Sequence, residues 1–372
     1  MVQRLENSWR VLSVDQMSEQ DETIFVTIAA CNEYLIEHTI KSAISLSTNP
    51  ERVFFGVFNN ILTKDKSLLD NDFICNNPKI FYAEIITPTP MGTGFGRMNA
   101  SLLTTKSHDF VLQIDSHTIF TKGWDSKLIE NFKNVVRIAQ TDKIILSAIP
   151  RGNLYYDINN RDVLLSNDGP FEHMEDKRVN LYENEYHKIA DYKLTKPELR
   201  YDGWQGKFFE PLNVGTPITY GAMSFGEEDY PEVNCIHASL VFFKHSVVKD
   251  IIHDPFDEFN GDQINHTLRI LSRGYRIFSM KEPLLLSLNK VQADIQVNGG
   301  LSVYLDPEWN WKSPHVRIES GREYTNHLTQ KALEHRKKIF NGDYLGYWGA
   351  PDKESLDRAK QIMNFKELQD NE

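Results

Sequence analysis

Asp115 and His117, two residues apart at the end of the apolar run Phe110-Val-Leu-Gln-Ile114, are the pair in this chain best spaced to hold a divalent cation. Alternate residues of an extended strand share a face, so both side chains project to one side. A carboxylate with an imidazole suits manganese somewhat better than magnesium. A cation held there could bridge the two phosphates of a nucleotide donor and neutralise charge on a departing nucleoside diphosphate. The plainer reading is a strand-end aspartate capping a turn beside a surface histidine, and three residues alone fit both.

Other residues carry weaker signals. Gly92-Thr-Gly-Phe-Gly-Arg97 lets the backbone approach an anion closely ahead of a helix N-terminus, although a plain turn uses the same residues. Asn32-Glu33 follows an apolar run, where such residues either line a site or cap a helix start. His237 reads as a packed histidine within a strand. Trp204, Trp309, Trp311 and Trp348 could stack on sugars or bases, but core is the commoner use of such residues. Arg336-Lys337-Lys338 reads as a solvated helix face.

These residues need a scaffold, and the hydrophobic pattern supplies one. Short apolar runs rich in β-branched residues occur at 23–30, 52–58, 79–86, 109–114, 143–149, 237–243 and 275–279. Such runs read as buried strands. Helical spacing follows several of them, over 35–46, from Gly92 to about Thr105, from Gly123-Trp-Asp125 to Ile138, and over Ile264–Ser272, with Gly274 as a C-terminal stop. Strands alternating with helices predict a doubly wound α/β sheet. Between 151 and 232 the pattern weakens into expected hairpins and loops.

Bulk properties narrow the function. The 372 residues carry a formal charge of −11, which repels phosphate backbones and argues against indiscriminate nucleic-acid binding. No apolar run approaches the roughly 20 residues that cross a bilayer. The segment Met1–Gln20 is too polar for a secretory signal. Cys31, Cys75 and Cys235 are spread without a CxxC pair, as in a reducing, cytoplasmic protein. Asn99-Ala-Ser101 and Asn265-His-Thr267 then match the glycosylation sequon by chance.

Taken in order, Ile24–Asn32, Asn49–Gly56, Gly92–Arg97 and Phe110–Asp125 resemble the N-acetylglucosaminyltransferase-like GT-A glycosyltransferases, whose eukaryotic members modify hydroxyproline on a cytoplasmic protein. Leu112–His117 with Phe120 and Gly123-Trp-Asp125 is the most specific piece. A looser likeness returns over 233–290. The resemblance implies a GT-A type mixed sheet, a nucleotide-sugar donor (a UDP-sugar above all), a divalent metal (Mn2+ or Mg2+), and a retaining reaction. It implies metal ligands at Asp115 and His117, donor contacts at Ala29, Asn32, Glu33, Arg97, Asn99 and Asp115, and a catalytic acidic residue at Asp262. Asp262 would orient the acceptor hydroxyl or stabilise positive charge on the sugar ring; as plain structure it would cap a helix. Relatives show two adjacent acids there, whereas this chain has Asp262-Gln263. Their third metal ligand, a histidine, has no counterpart in Glu282–Lys290, and His315 is the candidate replacement.

The implied organisation is a polar lead-in at 1–22, a donor-binding half at 23–150, an irregular insertion at 151–232, an acceptor-side half at 233–290, and an aromatic-rich extension with a terminal helix at 291–372. The expected acceptor is a hydroxyl on a protein or glycan. Two alternatives stay open: the same chemistry on a hydroxymethylated base in phage DNA, and a catalytically silent nucleotide-sugar binding protein.

Overall fold

The structure, a computed structural model, describes residues 22–31, 33, 35–61, 68, 71–88, 91–148, 150–157, 161–164, 178–195, 211–212, 216–217, 229–257, 262–280, 284–297, 300–305, 331–332 and 334–363. Its first half alternates strand and helix: β1 (Ile24–Cys31), α1 (Ile36–Leu46), β2 (Val53–Ile61), the short α2 (Asp72–Asn76), β3 (Ile80–Ile86), α3 (Thr93–Leu102), β4 (Phe110–Asp115), β5 (Thr118–Phe120), α4 (Trp124–Ala139) and β6 (Ile144–Ser147). There follow β7 (Arg151–Asp157), β8 (Asp162–Leu164), β9 (Arg178–Asn180), α5 (Tyr186–Thr195) and the two-residue strands β10 (Pro211–Leu212) and β11 (Thr216–Pro217). The last part holds β12 (Glu232–Val233), β13 (Leu240–Lys244), α6 (Val248–Ile251), α7 (Asp262–Ser272), β14 (Arg276–Phe278), β15 (Leu285–Val297), β16 (Gly300–Leu305) and α8 (Lys353–Ile362).

The main sheet has eight strands in the order β12-β14-β6-β13-β4-β1-β2-β3. β3, β2, β1 and β4 run parallel, β13 lies antiparallel between β4 and β6, and β14 is parallel to β6. Both faces are covered, which is why β1 and β4 read as unbroken apolar runs. One face packs Ile36, Ile40 and Ala43 of α1 and Trp124, Leu128, Phe132 and Val135 of α4. The other packs Ile264, Leu268 and Leu271 of α7 with Ile339, Phe340, Leu356 and Ala359 from the C-terminal part. The chain leaves β1 toward β2 and β3 on one side and returns to β4 on the other. Strand order therefore reverses between β1 and β4, and a crevice opens there at the carboxyl ends.

The weakly patterned region contributes more order than its sequence suggests. β7, β8 and β9 join β15 and β16 in a second sheet, to which β5 also pairs. This sheet has its own core of Leu154, Tyr156, Val163, Leu181, Tyr186, Ile189, Leu286 and Leu288. Several boundaries shift. α7 begins at Asp262 rather than Ile264, and β13 begins at Leu240, so His237 lies in the turn before the strand. Gly274 does end α7, at φ +79°.

Arg336, expected on a solvated face, is 5% exposed. Residues 334–341 are helical, and His335, Arg336, Ile339 and Phe340 share the inward side while Lys337 and Lys338 stay outside. The C-terminal part is also gripped by α7. Arg269 donates to the Tyr347 carbonyl at 3.1 Å, and Arg273 to those of Gly346, Tyr347 and Gly349 at 3.1, 2.9 and 2.9 Å. Among the described residues no helix is long and apolar enough to cross a membrane. Trp204, Trp309 and Trp311 lie outside the described residues.

Candidate active site

The turn after β4 is pinned from three directions. Thr39 of α1 donates through its hydroxyl to the Ser116 carbonyl at 2.9 Å and accepts from the Thr118 amide at 3.0 Å. The Leu288 amide of β15 donates to the His117 carbonyl at 2.9 Å. Nδ1 of His117 lies 3.5 Å from Oε2 of Glu33, a carboxylate only 3% exposed whose other oxygen accepts from the Leu35 amide at 2.8 Å. Glu33 thus accepts from the amide just ahead of α1 and sets its second carboxylate oxygen beside the His117 ring.

Asp115 ends β4 opposite Ala29 of β1, at the point where strand order reverses. Its side chain remains 26% exposed. Arg97, on α3, donates to Asp115 Oδ1 at 3.2 Å and to Oδ2 of Asp262 at the first turn of α7. Asp262 is 4% exposed and Arg97 7%, so the guanidinium ties two acids from different elements across the crevice. The Ser239 hydroxyl donates to Asp115 Oδ2. Burial pushes the Asp115 carboxyl up, but Arg97 first, then His117, Ser239 and His237, outweigh it and hold it below the usual carboxylate range. Burial likewise lowers His237, with Asp115 opposing.

The structure thus brings Ala29, Glu33, Arg97, Asp115, His117 and Asp262 to one crevice. Asn99 turns inward on its own helix, donating to the Phe95 carbonyl at 2.8 Å. Asn32 and His315 lie outside the described residues. Ser239 was not found by sequence reasoning. It faces Asp115 because Leu240 pairs with Ile114 across an antiparallel contact, and no local pattern announces that register. The glycines of α3 serve packing. A Cβ on Gly94 would sit 2.1 Å from the Asp254 carbonyl oxygen, and one on Gly96 3.3 Å from Cβ of Ala29.

Gly123-Trp-Asp125 is a joint rather than part of the site. Asp125 accepts from the Thr48 and Asn49 amides at 2.7 and 2.8 Å, and the fully buried Trp124 donates to the Ala43 carbonyl at 2.9 Å, fastening α4 to the end of α1.

Among the described residues, no three His, Cys, Asp or Glu side chains converge on a cation. Asp115 and His117 nonetheless fit part of a metal shell. With Nδ1 of His117 beside Glu33, Nε2 is the ring nitrogen left for a cation, and a carboxylate with two hydrogen bonds retains lone pairs.

The fold is thus a mixed α/β sheet with acid, imidazole and guanidinium gathered where its strand order reverses. A model of the family Glycosyltransferase (GlcNAc) matches residues 68–290, more than half of the sequence, and the chain belongs to that family. No curated protein matches it. Similar solved structures include residues 1–349 of TarS from S. aureus, at 12% identity and a TM-score of 0.42, covering 72% of this chain and 60% of that one. Another is GalNAc-T7 with UDP, GalNAc and Mn2+, at 13% identity and a TM-score of 0.43, covering 92% of this chain and 55% of that one. The chain therefore spans less than two thirds of either.

Proposed function

We propose that this chain moves a sugar, N-acetylglucosamine by its family, from a UDP-sugar to a hydroxyl on a protein or glycan, with a manganese ion held by Asp115 and His117. The observation carrying this is the meeting of Asp115, His117, Arg97 and Asp262 at the strand-order reversal, within the span that matches the family.

When bound, the cation supplies Lewis-acid neutralisation of the departing diphosphate. Thr39 fixes the His117 turn through Ser116 and Thr118, and Glu33 lies beside the His117 ring. Arg97 holds Asp262 in place and would put positive charge beside the diphosphate. Asp262 orients the acceptor hydroxyl or stabilises positive charge on the ring. In the retaining reaction the bond from the anomeric carbon to the phosphate oxygen breaks, a bond to the acceptor oxygen forms, and the acceptor proton passes to the leaving phosphate oxygen. Asp262 need not be a strong base.

The test is thermal stabilisation by nucleoside diphosphates and nucleotide sugars, with and without manganese, since ligands of the folded state raise Tm by mass action. UDP and UDP-N-acetylglucosamine should raise Tm only with manganese, and Asp115→Ala should lose the shift while remaining folded. A wild-type shift in that variant removes Asp115 from the site. A manganese-dependent shift without release of UDP would favour the silent binding protein, a reading supported by the single acid at Asp262-Gln263.

A further inference from the structure

The stretch Ile252–Asp257, between α6 and α7, touches the three elements that carry Arg97, Asp115 and Asp262. Toward α3, the Gly94 amide donates to the Asp257 carbonyl at 3.1 Å, three residues before Arg97. Toward β4, Nε2 of His253 lies 2.5 Å from Oε1 of Gln113, two residues before Asp115. Toward α7, Asn265 donates to Asp257 Oδ2 at 2.6 Å and to Asp254 Oδ2 at 3.4 Å, one turn beyond Asp262. His253, Asp254, Asp257 and Asn265 are all at most 3% exposed, so these contacts lie out of water, where misplacement is costly.

The stretch is held from outside by the C-terminal part. Nε2 of His335 donates to Asp254 Oδ2 at 2.7 Å, and Asp254 Oδ1 caps the turn by accepting from the Phe256 amide at 3.0 Å. The His335 ring sits between Phe256 and Tyr344, with centroids 5.5 and 5.2 Å away, which restricts its rotation. Arg336, the next residue, acts electrostatically on Asp257.

Resting on the transferase reading above, we propose that Asp254 and His335 are positioning residues for sugar transfer. Their contact fixes the 252–257 stretch, and that stretch sets Arg97, Asp115 and Asp262 relative to one another. The C-terminal part is then a component of the catalytic geometry, acting through the stretch rather than on the reacting atoms.

The experiment uses the full chain with His335→Ala and His335→Gln. Glutamine keeps an N–H that can reach Asp254; alanine does not. Backbone hydrogen exchange is read first, because it needs no activity. In His335→Ala, amides in 93–98 and 254–257 should exchange about tenfold faster while those of β1 keep their wild-type rate, and His335→Gln should restore protection. UDP-N-acetylglucosamine turnover with manganese should fall about 10–100-fold in kcat for His335→Ala with KM little changed, as expected when reacting groups are misplaced by a fraction of an ångström. Unchanged exchange in 93–98, or equal loss in β1, overturns the proposal. If the wild type releases no UDP, the transferase reading fails by itself, and the exchange result still decides whether His335 positions α3.

Discussion

At the scale of the residue, Arg97 is the pivot, because one guanidinium satisfies acids from two elements far apart in the sequence. Removing it leaves Asp262 as an uncompensated buried charge. Arg97→Met should therefore cost about 3–5 kcal/mol in urea unfolding, and Arg97→Met with Asp262→Asn should recover part of that loss. A double variant no more stable than the single one would show that the pairing does not govern the energetics. Both variants should lack turnover. The position of Asp115 and His117 at a strand end was legible in sequence because strand ends are local signals, whereas Asp262 came from the family resemblance. The joining of Asp115 and Asp262 through Arg97 was not legible, since it depends on a contact spanning 165 positions. Arg336 was misread for a related reason: the pattern of charges gives no view of the buried Asp257, whose charge acts on it.

At the scale of the element, α3 carries the pivot and is seated by Gly94. Gly94→Ala would force a methyl group into the Asp254 and Asp257 carbonyls, at 2.1 and 2.8 Å, and disrupt the hydrogen bond its amide donates to the Asp257 carbonyl. Overpacking of this kind costs about 1–3 kcal/mol. Gly96→Ala meets only Ala29 at 3.3 Å and should cost clearly less. Equal Tm losses in the two variants would remove the seating role of Gly94. The parallel strands and their helices were readable from continuous apolar runs and 3.6-residue spacing. β5 and β7–β9 were not, because their order comes from pairing with one another and with distant β15, and no long local period marks them.

At the scale of the whole molecule, the buried polar layer between α3, α7 and the C-terminal part makes stability depend on pH in two opposing ways. Burial, reinforced by neighbouring charges, holds His253 and His266 well below the imidazole range, so they stay neutral when folded and oppose unfolding only above their unfolded pKa. Asp257 acts in reverse. Burial chiefly pushes its carboxyl up to about 7, against the opposing pull of Arg336. Between its ordinary value of 3.8 and about 7 the folded state binds more protons than the unfolded one, so this group's contribution falls as pH rises and is flat above. Asp257→Asn cannot ionise. Its Tm relative to wild type should therefore climb from pH 5 to pH 8, and a pH-independent difference would place the Asp257 titration elsewhere.

The grip of Arg269 and Arg273 on the carbonyls of Gly346, Tyr347 and Gly349 also sets a schedule for synthesis. The partners are 73–78 positions apart in the chain. At about 5–20 residues per second, a ribosome makes the partner carbonyls about 4–15 s after the arginines. During that interval the residues of α7 have been made, while the set of Ile339, Phe340 and Leu356 that covers their apolar face is incomplete. A nascent chain stalled before residue 346 should therefore be a chaperone client, and the acid at the start of α7 should reach its final setting only after the clasp has been translated.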